Sequence, residues 1–200
     1  SAAVALLFLG GIQYASAAPV QWATSVGGNG HWYEAVYVPT FITWMEADAA
    51  AESTTGYLAT LTSEPENQFA YDLIAEDKFW HFSGNSNGPW LGAYQDHSAE
   101  TYSEPAGGWR WVTDEPFAYT NWAPSQPDNG WGSGEDCMHF FGWQLDNKTP
   151  KWNDAPNIES IYGYVVEYNQ YPVPEPCSVL TLACGFGLLI HGAGRERGRR

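Results

Sequence analysis

Three short stretches of this chain carry oxygen-bearing side chains in a pattern that suits a hard cation. The first is Gln126-Pro127-Asp128-Asn129. Glu135-Asp136-Cys137 begins seven residues after Asp128, and Trp152-Asn153-Asp154 follows further on. Gln126 and Asn153 offer amide oxygens; Asp128, Glu135 and Asp154 offer carboxylates. Calcium takes about six to eight oxygen ligands and accepts amide and backbone carbonyls beside carboxylates. Histidine and thiolate are absent from the set, which disfavours zinc. The spacing is not that of an EF-hand loop, and Asn and Asp are also ordinary turn formers in a Gly-rich segment, so composition alone leaves both readings open. Glu135, Asp136 and Asp128 could be imagined as paired acids for glycosidic cleavage. Acids that hold an ion must stay ionised, however, and no Ser/His/Asp or Cys/His set stands out, so the chain is read as a non-enzyme.

These residues need a scaffold. Thr43 with Glu46 forms a capping box ahead of Trp44, Ala47 and Ala51 at helical spacing. Ser63 with Glu66 forms a second, with Pro65 in the first turn, before an apolar face of Phe69, Ala70, Leu73 and Ile74. Residues 56–61 (GYLATL) read as a short strand between the two helices. Beyond residue 88 the helical period vanishes. Trp90-Leu91-Gly92-Ala93, Trp109-Arg110-Trp111-Val112 and residues 162–168 (YGYVVEY) are strand-like runs of aromatic and β-branched residues. Residues 113–135 contain little that makes regular structure, yet hold four aromatics (Phe117, Tyr119, Trp122 and Trp131). A long irregular loop of that kind inside a compact domain is functional rather than disordered.

The 200-residue chain has 11 Trp, 12 Tyr and 9 Phe, and a formal net charge of −15. Residues 19–173 hold 21 acids against Lys78, Arg110, Lys148 and Lys151, a net of −17. Such a body offers no basic stripe for phosphates, which excludes a nucleic-acid partner, and its self-repulsion would be relieved by a bound cation. Only Cys137 lies in the body, so no internal disulfide can form there. It reads as a small buried hydrophobe.

The two ends read as addresses. Residues 1–18 open without Met, run apolar from Ala2 to Ile12 and reach Ala15-Ser16-Ala17, as in a signal peptide with cleavage near Ala17 or Ala18. The missing basic n-region is expected of a chain truncated at its start. Residues 173–200 run Val173-Pro174-Glu175-Pro176, then about 13 apolar residues from Ser178 to Ile190, then an Arg cluster. A membrane span takes about 20 residues, so this segment is marginal as an anchor. In this order the three parts resemble the PEP-CTERM sorting tail of Gram-negative bacteria. That resemblance implies an exosortase-type processing enzyme as partner, transient membrane contact through the tail, and an extracellular or cell-surface destination.

The body, residues 19–172, resembles a C-type lectin-like domain from His31-Trp32-Tyr33 to Val165-Val166-Glu167-Tyr168. Trp90-Leu91-Gly92-Ala93 is similar to the family's Trp-Ile-Gly-Leu strand, and Glu66-Asn67-Gln68-Phe69 to its second helix. Gln126-Pro127-Asp128 stands where the family has Glu-Pro-Asn or Gln-Pro-Asp, and Gly134-Glu135-Asp136-Cys137 and Trp152-Asn153-Asp154 match its remaining loop motifs. The resemblance implies an α+β fold, with two helices flanking antiparallel sheets and a long irregular loop that binds the ligand. It also implies a calcium ion held by Gln126, Asp128, Glu135, Asn153 and Asp154, with Pro127 in the cis form. Two adjacent sugar hydroxyls would complete the coordination while hydrogen-bonding the same side chains. Gln-Pro-Asp resembles the galactose-preferring members, in which an aromatic stacks on the sugar. Trp131 would take that part beside Gln126, Asp128, Glu135 and Asn153. A weaker second ion site would draw on Asp96, Glu100, Asn129, Glu135 and Asp136.

The chain departs from the family at both usual disulfides. Ala49 to Ala51 and Val166 occupy the regions of one bridge; Cys137 keeps half of the other, with Asn157 near its expected partner. Losing a bridge costs about 2–5 kcal/mol. The function expected is an exported, calcium-dependent lectin for a glycan or exopolysaccharide. The alternative is a structural or adhesion module of the extracellular matrix that binds no sugar and holds calcium for stability only.

Overall fold

The computed structural model describes residues 15–130, 134–144, 147–159 and 161–172. In chain order the strands and helices are β1 (Ala15–Ser16), β2 (Val20–Gln21), β3 (Trp32–Ile42), α1 (Trp44–Glu52), β4 (Tyr57–Leu58), α2 (Glu64–Asp72), β5 (His81–Phe82), β6 (Ser86–Gln95), β7 (Trp109–Trp111), β8 (Cys137–Gly142), β9 (Lys151–Ala155) and β10 (Ile161–Tyr168). The expected α+β architecture is present, but as one mixed sheet of order β1-β3-β10-β6-β8-β9, with β2 on β3, β4 on β10, and β5 and β7 on β6. All strand pairs run antiparallel except β10 with β6, which meet in parallel at Tyr164 and Trp90. The backbone of Ala15–Ser16, inside the expected signal segment, pairs with Tyr37 and Val36 of β3. Cleavage after Ala17 or Ala18 would remove that rung.

The central strands are apolar on consecutive residues because both faces of the sheet are covered. Successive strand side chains point to opposite faces. Ala35, Leu91 and Val165 therefore join one core cluster with Ala70 and Ile74 of the α2 region. Val36, Trp90 and Val166 join the other with Trp44, Ala47 and Ala51 of α1. Ala51 and Val166, from the regions where the resemblance would put a disulfide, are fully buried in the same cluster. Gly92 is required where β6 crosses β4, since a Cβ there would lie 2.1 Å from the Leu58 carbonyl oxygen.

The capping box at Thr43 forms as the sequence predicts, with Glu46 N donating to Thr43 Oγ1 and Thr43 N to the Glu46 carboxylate. Asn157 adds to it: its Oδ1 accepts from Met45 N at 2.9 Å, across the chain from α1. The second cap differs. Ser63 accepts from Glu66 N, but the Glu66 carboxylate turns inward to Thr62 instead of closing the box on Ser63. Helix α2 stops at Asp72, with Leu73 as its C-cap. The strand expected over 56–61 is only Tyr57–Leu58. Beyond it Ala59 N bonds Val165 O, while Thr60 N bonds a side chain, the Glu167 carboxylate, which ends the ladder. Among the described residues no helix is long and apolar enough to cross a membrane; the apolar stretch 178–190 lies outside them.

Candidate functional site

Residues 113–130 leave the sheet and return along β9. Trp152 N donates to Asn121 O at 3.0 Å and Ala123 N to Trp152 O at 2.8 Å, which clamps the loop beside β9 just before Gln126. Aromatic rings hold it against β9. Tyr119 and Trp122 of the loop and Trp111 of β7 each meet the Trp152 ring edge-on, with centroids 5.4, 5.9 and 5.8 Å away. The Trp152 indole N–H donates to Asn67 Oδ1 at 2.7 Å, and Asn67 Nδ2 donates to Pro150 O at 2.9 Å, so α2 pins both ends of the turn into β9. The residues adjoining Trp152, namely Asn153 and Asp154, are thus delivered by a rigid aromatic hub to the loop that carries Gln126 and Asp128.

The Gln126-Pro127 bond is cis, as the resemblance implies. Asp154 is 1% exposed and accepts from Asp128 N at 3.0 Å and Asn129 N at 2.8 Å, closing the loop onto the strand. Burial pushes the Asp154 carboxyl up, and those backbone N–H groups oppose it. Glu135 is 3% exposed, and its N–H donates to Asn129 Oδ1 at 3.2 Å. Asp128 is exposed at the rim; Gly130 N donates to its Oδ1 at 3.0 Å, and a Cβ on Gly130 would lie 2.9 Å from that oxygen. One carboxylate oxygen from each of Asp128, Glu135 and Asp154 lies within 4.8 Å of the others. Oxygens that share an ion at about 2.3–2.6 Å are at most about 5 Å apart.

The two amides complete the set. Gln126 Oε1 and Asn153 Oδ1 are buried and accept no hydrogen bond among the described residues. A buried acceptor left unmatched costs about 1–3 kcal/mol. Asn153 is turned this way by what its nitrogen meets: Nδ2 donates to the Asp154 carbonyl and stands 3.2 Å from His139 Nε2. Burial keeps that imidazole neutral, its pKa lowered to about 4. The β8–β9 register places His139 directly opposite Asn153. Sequence reading did not single out His139; only its register opposite Asn153 marks it out. The donor set is all oxygen, three carboxylates and two amides, and its unmatched acceptors fit a hard cation such as calcium.

A cavity of about 240 Å³ opens over these groups, lined by Gln126, Asp128, Glu135, His139 and Asn153 and also by Asn87, Trp143 and Glu159. None of the residues lining it is Lys or Arg. Trp131, expected to stack on a sugar, lies outside the described residues.

The residues expected for a second ion are not gathered. Asp96 accepts from Ser98 Oγ at 2.6 Å and from Arg110 Nη1 at 2.7 Å, bonds that hold its carboxyl down at about 2. Arg110 also pairs with Asp114, at 2.8 Å. The guanidinium thus stands at the Asp96 carboxylate, which the second-ion reading had assigned to a cation. Glu100 is exposed, Asn129 is held by Glu135 N, and Asp136 pairs with His97 Nε2 at 2.8 Å. Asp136 groups with His97 and Glu104 instead of with Asp96 and Glu100. Cys137 is free and buried beneath the site, which raises its thiol pKa.

Comparison with known proteins bears on both fold and site. The family model described as "Lectin C-type domain" matches residues 41–162. Asialoglycoprotein receptor 1 of Mus musculus is 29% identical over 142 residues, 68% of this chain and 39% of that receptor. The chain therefore spans about two fifths of the length of such relatives. The mouse scavenger receptor C-type lectin carbohydrate-recognition domain superposes with a TM-score of 0.51 at 22% identity, covering 72% of this chain and 92% of that one. A protein described as a calcium-independent type II antifreeze protein superposes equally well (TM-score 0.51, 21% identity, 80% of this chain and 98% of that one). The fold by itself therefore does not prescribe an ion; the donor set must.

Proposed function

This chain belongs to the C-type lectin domain family, and from that premise we propose that it is a calcium-dependent glycan-binding protein with a preference for galactose-type sugars. The observation that carries this reading is the pair of buried amide oxygens, Gln126 Oε1 and Asn153 Oδ1, beside three convergent carboxylates. Calcium would supply the charge that matches these five groups and an open face for two neighbouring sugar hydroxyls. Asp128 and Glu135 would accept from those hydroxyls, and the Gln126 amide nitrogen would donate. Bonds to ionised acceptors are the stronger ones. The acid stands at 128 and the amide at 126, the order in the galactose-preferring members; exchanging them reverses donor and acceptor along the site. The cavity is open and free of cationic side chains, which suits a neutral polyhydroxy ligand.

The test is titration calorimetry of the chain with calcium, then with galactose and mannose, repeated in chelator. Galactose binding that needs calcium and exceeds mannose binding supports the reading. Sugar binding unaffected by chelator overturns it, and calcium binding with no sugar response selects the structural module instead. Export, membrane contact through the tail and exosortase-type processing are proposals that rest on the sequence of residues 1–18 and 173–200. Mass spectrometry of the mature protein tests them, with cleavage near Ala17 and near Pro174 as the expected result.

A further inference from the structure

The cavity is larger than an ion and its open face require. One water takes about 30 Å³ of liquid, against a cavity of about 240 Å³. Its lining extends beyond the ion-binding groups to the end of β8 and the start of β6, where it includes the aromatic Phe141 and Trp143 and the polar Asn87 and Glu159.

Trp143 is built as a fixed platform. It is 44% exposed, yet its indole N–H donates to Pro124 O at 3.2 Å, and the Phe141 ring braces it edge-on at 5.1 Å and 81°. Pro124 lies two residues before Gln126, so the ring is tied to the loop that supplies the first proposed ion ligand. An aromatic held rigid while nearly half exposed loses little conformational freedom when a ligand covers it. The same lining holds an ordered polar pair: Asn87 Nδ2 donates to Glu159 Oε1 at 3.3 Å, with Asn87 largely buried. An apolar plate that shares a cavity with an amide and a carboxylate matches a pyranose ring, which has C–H groups on one face and hydroxyls round its edge.

We propose that this cavity is a two-residue glycan site: one sugar ring sits over Gln126, Asp128, Glu135 and Asn153, and a neighbouring ring of the same glycan lies against Trp143 with its hydroxyls toward Asn87 and Glu159. The inference rests on the lectin reading above and extends it from a monosaccharide to a glycan segment. Trp143 determines specificity without touching the ion-binding groups.

Calorimetry on the full chain in calcium tests it, with methyl β-galactoside, lactose, and β1,3- and β1,4-linked galactobiose as probes. At least one disaccharide should bind about tenfold tighter than methyl β-galactoside. Trp143→Ala should remove that gain and leave both calcium affinity and methyl β-galactoside affinity within twofold, while Trp143→Phe keeps part of the gain. Glu159→Gln should weaken the disaccharide alone. Methyl β-galactoside binding with no gain for any disaccharide overturns this inference and leaves the lectin reading standing. A Trp143→Ala variant that loses both probes equally, with calcium binding intact, also overturns it. Absence of methyl β-galactoside binding in the unaltered chain overturns the lectin reading, and this inference with it.

Discussion

Two clusters of acids are withdrawn from water in this protein, and they are finished differently. Glu66 and Glu167, at 3% and 2% exposure, face each other across the Tyr33 hydroxyl, which lies 2.6 Å from Glu66 Oε1 and 3.1 Å from Glu167 Oε1. Every carboxylate oxygen there has donors. Glu66 takes Asn29 Nδ2 on one oxygen and the Thr62 N–H and hydroxyl on the other. Glu167 takes His31 on one and the Thr60 N–H and hydroxyl on the other. In the candidate ion site, by contrast, the Gln126 and Asn153 amide oxygens are buried with no donor among the described residues. Buried polar groups are satisfied internally or by something bound. The first cluster is therefore a completed structural joint between β3, α2 and β10, while the second leaves acceptors open to the proposed ion. Residue type does not separate them; the supply of donors does.

The sharpest way to break the comparison is to damage the joint. Glu167→Ala strands the Thr60 N–H and leaves His31 without its carboxylate, while Tyr33 keeps Glu66 as acceptor. It should cost about 3–5 kcal/mol in urea unfolding, the range for breaking a buried charged network, while the folded fraction keeps its calcium affinity.

The reciprocal change is Asp154→Asn. It removes a carboxylate whose burial is unfavourable without an ion, and one amide oxygen can still accept from Asp128 N and Asn129 N. The chelated variant should match or exceed the parent in melting temperature. The parent should gain about 2.7 kcal/mol at a calcium concentration 100 times its dissociation constant, and the variant should gain nothing. A variant that still responds to calcium would place the ion elsewhere.

The acid–amide order offers a finer probe. Exchanging it with Gln126→Glu and Asp128→Asn should leave calcium binding within about tenfold and move the preference from galactose toward mannose in competition assays, by about 1–2 kcal/mol.

The smallest effect is in pH. The bond to Glu167 raises the His31 pKa above its ordinary value, against partial burial. A base held protonated in the fold stabilises it fully below its unfolded pKa of about 6.5, and that contribution fades as pH rises through the higher folded value. Melting in chelator from pH 6 to 9 should show this decline in the parent, and His31→Gln should flatten it.

Much of this was legible beforehand because it depends on local spacing. The Thr43 cap, the Ser63 N-cap, the aromatic strands and the irregular loop over 113–130 follow from residues within a few positions of one another, and the family motifs mark the loop donors. The misreadings share one cause. Glu66 looked like the closing member of a capping box, but Tyr33 and Asn29, more than 30 positions away, draw its carboxylate inward. Asp96 looked like an ion ligand until Arg110, 14 residues on, took its carboxylate. The short strand over 56–61 ends early because Glu167, 107 positions from Thr60, supplies the next acceptor.

By itself the chain determined which oxygens were on offer: an amide at 126, acids at 128, 135 and 154, and an amide at 153. Only the tertiary structure decided which acids were already spoken for and which amide oxygens were buried unmatched. A hydrogen bond is settled by distance and direction in space, and the deciding donors, His31 and Thr60 for Glu167 or Arg110 for Asp96, are brought there by the sheet rather than by sequence neighbourhood.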